Sequence, residues 1–173
     1  MGEIKSTLDL VMERTQNMSL SDEEKARQQR DEYEKRLQGL LQKYADGIFG
    51  LDRLQAEIGR LQQSMGLNDQ TALVDAVRKR IEPDGNSGRW LDLMARLAPE
   101  ISRSLADILK TYRTRRDECI ETAERRLRRR LMQAHGIAGS AVAPNHQKDR
   151  RCRDDLAGLK RETEDRLAAA VRE

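Results

Sequence analysis

Between residues 33 and 65 apolar side chains return every three or four positions, and the positions between them are almost all polar. Leu37, Leu40, Tyr44, Gly47, Leu51, Leu54, Ile58, Leu61 and Met65 fit the a and d places of a heptad, broken only by the glycine. Such a stripe can leave water only against another helix, so the pattern predicts a coiled-coil element. Ser21 and Glu24 have capping-box spacing, and Asp22, Glu23 and Glu24 suit the positive end of a helix. One continuous helix over 22–65 is therefore expected, roughly 65 Å long at about 1.5 Å per residue. Gly39, Gly47, Gly50 and Gly59 predict local softness along it, with close helix approach or a bend near 47–50.

The flanking pattern is also helical. Ile4, Leu8, Val11, Met12 and Thr15 share one face of a short first helix. Gly66 suits the residue just past a helix end, and Asn68 or Asp69 caps a short helix carrying Leu73, Val77 and Ile81. Residues 83–88, with a proline and two glycines, form the strongest turn signal in the chain. Beyond it, Trp90, Met94, Leu97, Ile101, Leu105, Ile108, Tyr112, Cys119, Ala123, Leu127 and Leu131 recur at steps near an eleven-residue repeat, with Arg116 on the stripe. Pro99 predicts either a short helix over 90–97 followed by a long one using proline in its first turn, or one kinked helix. The uncharged, small-residue stretch 136–145 is expected to be a flexible linker. Leu156, Leu159, Thr163, Leu167 and Val171 then mark a last amphipathic helix, too short to be stable without a partner.

These elements predict an all-α fold: an elongated antiparallel helical hairpin or coiled coil, helix 22–65 against helix 99–134, with short flanking helices. The domains expected are an elongated helical coiled-coil domain over 1–135, a flexible linker over 136–147 and a C-terminal amphipathic helix over 148–173. The clash between a seven- and an eleven-residue repeat leaves open that each seam pairs with its own copy in a homodimer.

Composition sharpens the picture. With 36% charged and only 3% aromatic residues, the 173-residue chain has little material for a thick globular core. The formal charge of +3 is unevenly placed. Between residues 101 and 145, Arg103, Lys110, Arg113, Arg115, Arg116, Arg125, Arg126, Arg128, Arg129 and Arg130 face only Asp107, Asp117, Glu118, Glu121 and Glu124. Two cysteines, Cys119 and Cys152, in no C-x-x-C arrangement, read as reduced thiols of a cytoplasmic protein. No signal-like or bilayer-spanning apolar run is present.

Arg125, Arg126, Arg128, Arg129 and Arg130 around Leu127 and Leu131 are the most unusual local composition and form the candidate phosphate- or partner-binding set. The competing structural reading pairs them with Asp31, Glu32 and Glu34 near the start of helix 22–65, and it is the favoured one. Lys148, Arg150, Arg151 and Arg153 form a second basic cluster, interleaved with Asp149, Asp154 and Asp155. No aromatic residue stands in either cluster to stack a base. Trp90 reads as core. His135, His146, Cys119 and Cys152 lack the paired spacing of a structural zinc site, and no catalytic motif is present. No metal, cofactor, catalytic residue or small-molecule substrate is expected. The loose myristoylation pattern at Gly2–Ser6 reads as the start of the first helix.

The opening run from Met1 to Thr15, together with Leu20-Ser21-Asp22-Glu23-Glu24-Lys25, resembles the start of a functionally uncharacterised family of bacterial all-helical proteins. The resemblance implies a bacterial, cytoplasmic protein and supplies no activity or site residues. The expected function is that of a non-enzymatic coiled-coil interaction protein, an adaptor or assembly subunit whose partner is another protein or a second copy. Association with nucleic acid or a ribosome through the Arg-rich helix 113–130 is one alternative. A helical stalk or chaperone component of a larger machine is another.

Overall fold

A computed structural model describes residues 21–139 and 141–171. The expected first helix over residues 4–15 lies outside them. Among the described residues every regular element is helical, so the fold is all-α: α1 (Asp22–Ala45), α2 (Leu51–Met65), α3 (Gln70–Arg78), α4 (Gly88–Leu97), α5 (Pro99–His135) and α6 (Arg150–Ala169), with a 3-10 turn at His146–Lys148. The chain forms two compact units, Met1–Asp69 and Gln70–Glu173, a boundary that falls inside the span 1–135.

In the first unit, α1 begins with the capping box: the Ser21 N–H donates to Glu24 Oε2 at 2.9 Å, and the Glu24 N–H donates to Ser21 Oγ at 3.2 Å. The expected continuous helix over 22–65 is overturned. Gly47 takes a φ of 75°, which a residue with a Cβ adopts only at a cost. Its N–H donates to the Tyr44 carbonyl at 3.1 Å and the Ile48 N–H to the Lys43 carbonyl at 2.9 Å, a Schellman ending. The seam therefore folds on itself: α2 returns antiparallel beside α1, and Gln29 Nε2 donates to the Met65 carbonyl at 2.6 Å to close the far end. Tyr33, Leu37, Leu41 and Tyr44 are buried against Leu54, Ile58 and Leu61. Leu41 displaces Leu40, which is half-buried, because an antiparallel partner selects the 33-37-41-44 face. Leu51 and Met65 are half-buried at the two ends of α2. Phe49 covers the turn, with the Arg53 guanidinium 4.6 Å and the Lys43 ammonium 5.5 Å from its ring centre.

In the second unit, α3 buries Leu73, Val74, Ala76 and Val77, and α4 buries Trp90, Leu93 and Met94. The loop between them is clasped by the buried Ser87, whose hydroxyl donates to the Glu82 carbonyl at 2.9 Å and accepts from the Glu82 N–H at 3.3 Å. Pro99 occupies the first turn of a separate α5, where its missing N–H costs nothing. Ser102 Oγ ties the corner by donating to the Leu91 carbonyl at 3.0 Å.

The buried positions of α5 are Ser102, Leu105, Leu109, Tyr112 and Ala123, with Arg116 and Cys119 half-buried on the same line. This is a heptad and not the eleven-residue repeat. Ser102 concealed it because its hydroxyl finds a carbonyl, while Ile101 and Ile108 sit half-buried beside the stripe. The last helix has its partner here: α6 runs antiparallel along α5, marked by ion pairs Arg115–Glu162 at 2.7 Å and Arg126–Asp149 at 2.8 Å. Cys152, Leu159, Thr163 and Leu167 fill the seam between them.

Candidate functional site

The five arginines occupy the C-terminal third of α5, where α6 covers only one side. Arg126 turns inward and donates to Asp149 Oδ1 at 2.8 Å. Arg125 lies 3.7 Å from Glu121, and Arg128 lies 3.6 Å from Glu124 and donates through Nε to the Val142 carbonyl at 3.3 Å. Arg129 and Arg130 are exposed and form no ion pair among the described residues. Glu32, one of the acids considered as a partner for this band, accepts from Arg36 on its own helix at 2.6 Å. The band thus keeps outward-facing positive charge.

Asp149 is the anchor below it. Its carboxylate accepts from the Cys152 N–H at 2.9 Å as the N-cap of α6 while holding Arg126. The backbone donor first, and then the guanidinium, hold the Asp149 carboxyl below the usual carboxylate range. His146 Nδ1 lies 3.4 Å from Glu124. The stretch 136–147, expected to be a flexible linker, touches α5 at Val142 and His146, and Asp149 anchors the chain just beyond it.

That attachment makes a groove. Gly136, at φ 63°, turns the chain back at the end of α5, and the Ile137 N–H reaches the Leu131 carbonyl at 3.3 Å. Met132, Ile137, Ala138 and Val142 then form an apolar floor under Arg128 and Arg129, enclosing about 170 Å³. Met132 is 62% and Ile137 48% exposed, and with Ile48 they are the large apolar side chains most open to water among the described residues. The space suits one or two aliphatic side chains and is smaller than an ordinary small-molecule pocket.

Comparison with protein-family models, with curated proteins and with solved structures gives no match. The functional reading therefore rests on the geometry of the chain.

A further cluster was not visible in the sequence. The Asp84 carboxylate accepts a short hydrogen bond from Tyr112 Oη and lies 3.2 Å from the Lys160 ammonium, joining the 82–87 loop, α5 and α6. Burial and the Asp84 carboxylate push the Tyr112 phenol up to about 12, while Tyr112 and Lys160 lower Asp84. In the sequence Asp84 is part of the 83–88 turn signal, and no short-range pattern links it to residues 28 and 76 positions away. On the α5–α6 seam Cys119 is half-buried and Cys152 is buried. Burial raises the pKa of Cys152. His135 is exposed and His146 faces Glu124, and no group of three metal-ligating side chains converges among the described residues. In the first unit a groove of about 420 Å³ runs between α1 and α2 over Leu40 and Leu61, with Arg36, Lys43, Glu57 and Arg60 on its edges.

Proposed function

We propose that the protein is a non-enzymatic helical interaction module, an adaptor or assembly subunit, and that its second unit docks an acidic, aliphatic helical segment of a partner protein at the C-terminal end of α5. The observation that carries this reading is the groove itself: an exposed apolar floor of Met132, Ile137 and Val142 beneath a rim of Arg128 and Arg129. Apolar side chains left in water beside two exposed guanidinium groups, of which Arg129 forms no ion pair among the described residues, complement a partner that offers Leu or Ile next to Asp or Glu. The nucleic-acid reading draws on the same arginines but leaves the floor without a role. Tyr33, Tyr44, Phe49, Trp90 and Tyr112 are all buried, so no ring is offered for base stacking.

The test uses a fluorescently labelled amphipathic Glu/Leu helical peptide and a labelled duplex DNA, each titrated with the full chain and with Arg128→Glu/Arg129→Glu at about 50 mM and 200 mM salt. The reading expects the peptide to bind, the charge reversal to abolish binding, and a Met132→Ser variant to weaken it without altering helicity. Tighter binding of the duplex, lost steeply with salt, supports the nucleic-acid alternative and overturns this one. A peptide that binds Met132→Ser as well as it binds the native chain overturns it too.

A further inference from the structure

We propose that protonation of His146 primes the Met132–Ile137 groove for its partner, by drawing Glu124 away from Arg128 and tightening the 136–147 segment on α5; this regulation rests on the docking function proposed above. His146 Nδ1 lies 3.4 Å from one oxygen of the Glu124 carboxylate, and the Arg128 guanidinium lies 3.6 Å from the other. Arg128 in turn donates through Nε to the Val142 carbonyl at 3.3 Å, and Arg128 and Val142 both line the groove. One carboxylate thus stands between a rim guanidinium and an imidazole, the side chain whose charge changes between about pH 5 and 8.

The imidazole is fixed in place by its own backbone. Pro144 is buried, the His146 N–H donates to the Pro144 carbonyl at 3.1 Å, and the Asp149 N–H donates to the His146 carbonyl at 3.0 Å. The His146 and Glu124 side chains are only 25% and 29% exposed, so salt screens the pair less than it screens the outer arginines. The other charges around it are already committed or point to water. From α5, Arg126 is bound to Asp149 and Arg125 lies 3.7 Å from Glu121. From the start of α6, Asp149 remains a carboxylate down to acid pH, held low first by the Cys152 N–H and then by Arg126, and Arg150 lies 3.7 Å from Asp154. Lys148, on the same turn as His146, is exposed. Glu124 is therefore the acid that a proton on His146 addresses.

The sign follows from the sharing of that carboxylate. With a neutral imidazole, Glu124 offsets the charge of Arg128, and a carboxylate on the partner has to compete with it. The imidazolium donates a charge-assisted bond from Nδ1 to Glu124, which leaves the Arg128 guanidinium to the partner. The same bond adds a tie between the 136–147 segment and α5, which holds Ile137 and Val142 in the floor of the groove. Both effects strengthen docking as pH falls. Partly exposed ion pairs contribute modestly, so the expected gain in affinity is about three- to five-fold.

The experiment titrates the labelled Glu/Leu peptide with the full chain at about pH 5.5 and pH 8, at fixed salt, for the native sequence and for His146→Gln, Glu124→Gln and His135→Gln. Protonation of the peptide itself is common to all four and cancels when their affinity ratios between the two pH values are compared. The proposal expects the native ratio to exceed that of His146→Gln by about three- to five-fold. Glu124→Gln should bind at pH 8 about as tightly as the native chain binds at pH 5.5, because Arg128 is then free at both. His135→Gln, which removes the exposed imidazole at the end of α5, should keep the native ratio. Equal ratios in the native chain and His146→Gln overturn the regulation and leave the docking function standing, and so does a gain that is lost in His135→Gln instead. A peptide that binds none of the chains at either pH overturns the docking function, and the regulation falls with it.

Discussion

Replacing Tyr112 with phenylalanine removes one buried hydroxyl and leaves the ring that α5 packs into the second unit. The lost bond runs to a carboxylate, and hydrogen bonds to charged groups contribute about 1.5–3 kcal/mol. Asp84 is not stranded by the change, because its side chain is 46% exposed and keeps Lys160 at 3.2 Å. The expected cost of Tyr112→Phe at pH 7 is thus at the low end, about 1.5 kcal/mol. The pH dependence is more specific. The phenol titrates near 12 in the folded chain against about 10 in the unfolded one, so its contribution is complete below pH 10 and is lost as pH rises toward 12. On the order of 2 kcal/mol should disappear from the native chain over that window and not from Tyr112→Phe, so the two stabilities converge near its upper end. Asp84 acts oppositely: its lowered carboxyl stabilises the fold above about pH 4 and ceases to do so as pH falls through the folded value. Guanidinium unfolding followed by Trp90, the one tryptophan and buried in this unit, reads all of this. A difference below about 0.5 kcal/mol at pH 7, or a gap that stays constant to pH 12, refutes the reasoning.

The remaining predictions address the other joints of the fold. Gly47→Ala should destabilise the first unit by about 1–2 kcal/mol, because φ 75° is costly once a Cβ is present; faster amide exchange along α2 measures it. Leu41→Ala should cost about 2–4 kcal/mol and Leu40→Ala about 1 kcal/mol or less by the same exchange measurement, and the reverse order would contradict the register of the hairpin. Acidification below about pH 4 should loosen the start of α6 as Asp149 takes up a proton and releases both the Cys152 N–H and Arg126. Asp149→Asn should flatten that acid limb, seen as protection factors of the Cys152 and Arg153 amides that no longer change with pH.

What was legible in the sequence was what local spacing controls. The capping box at Ser21 and Glu24, the helix end at Gly66, the loop at 83–88 and the separate helix beginning at Pro99 all depend on a few adjacent residues, and all are present. Where periodicity had to be read through an ambiguous residue, it misled. Gly47 fitted a heptad position and so looked like a tolerated gap, yet its backbone freedom ends the helix and reverses the chain. Ser102 is polar yet buried, and an apolar pattern that omits it shows an eleven-residue repeat in place of the heptad. The arginine band was visible as composition. The groove beneath it was not, because Ile137 and Val142 come from a segment whose small residues signal only a linker, and the Arg128 bond to the Val142 carbonyl draws that segment against α5. The contacts of Asp84 depend on tertiary packing that no local pattern encodes.

The most direct test of the proposed docking surface is methyl NMR of the full chain during titration with the amphipathic Glu/Leu peptide. The account predicts saturable shifts at the Met132 ε-methyl and the Ile137 δ1-methyl, with the buried Met94 methyl unmoved. Saturation that leaves Met132 and Ile137 unshifted, or equal shifts produced by duplex DNA, would contradict it.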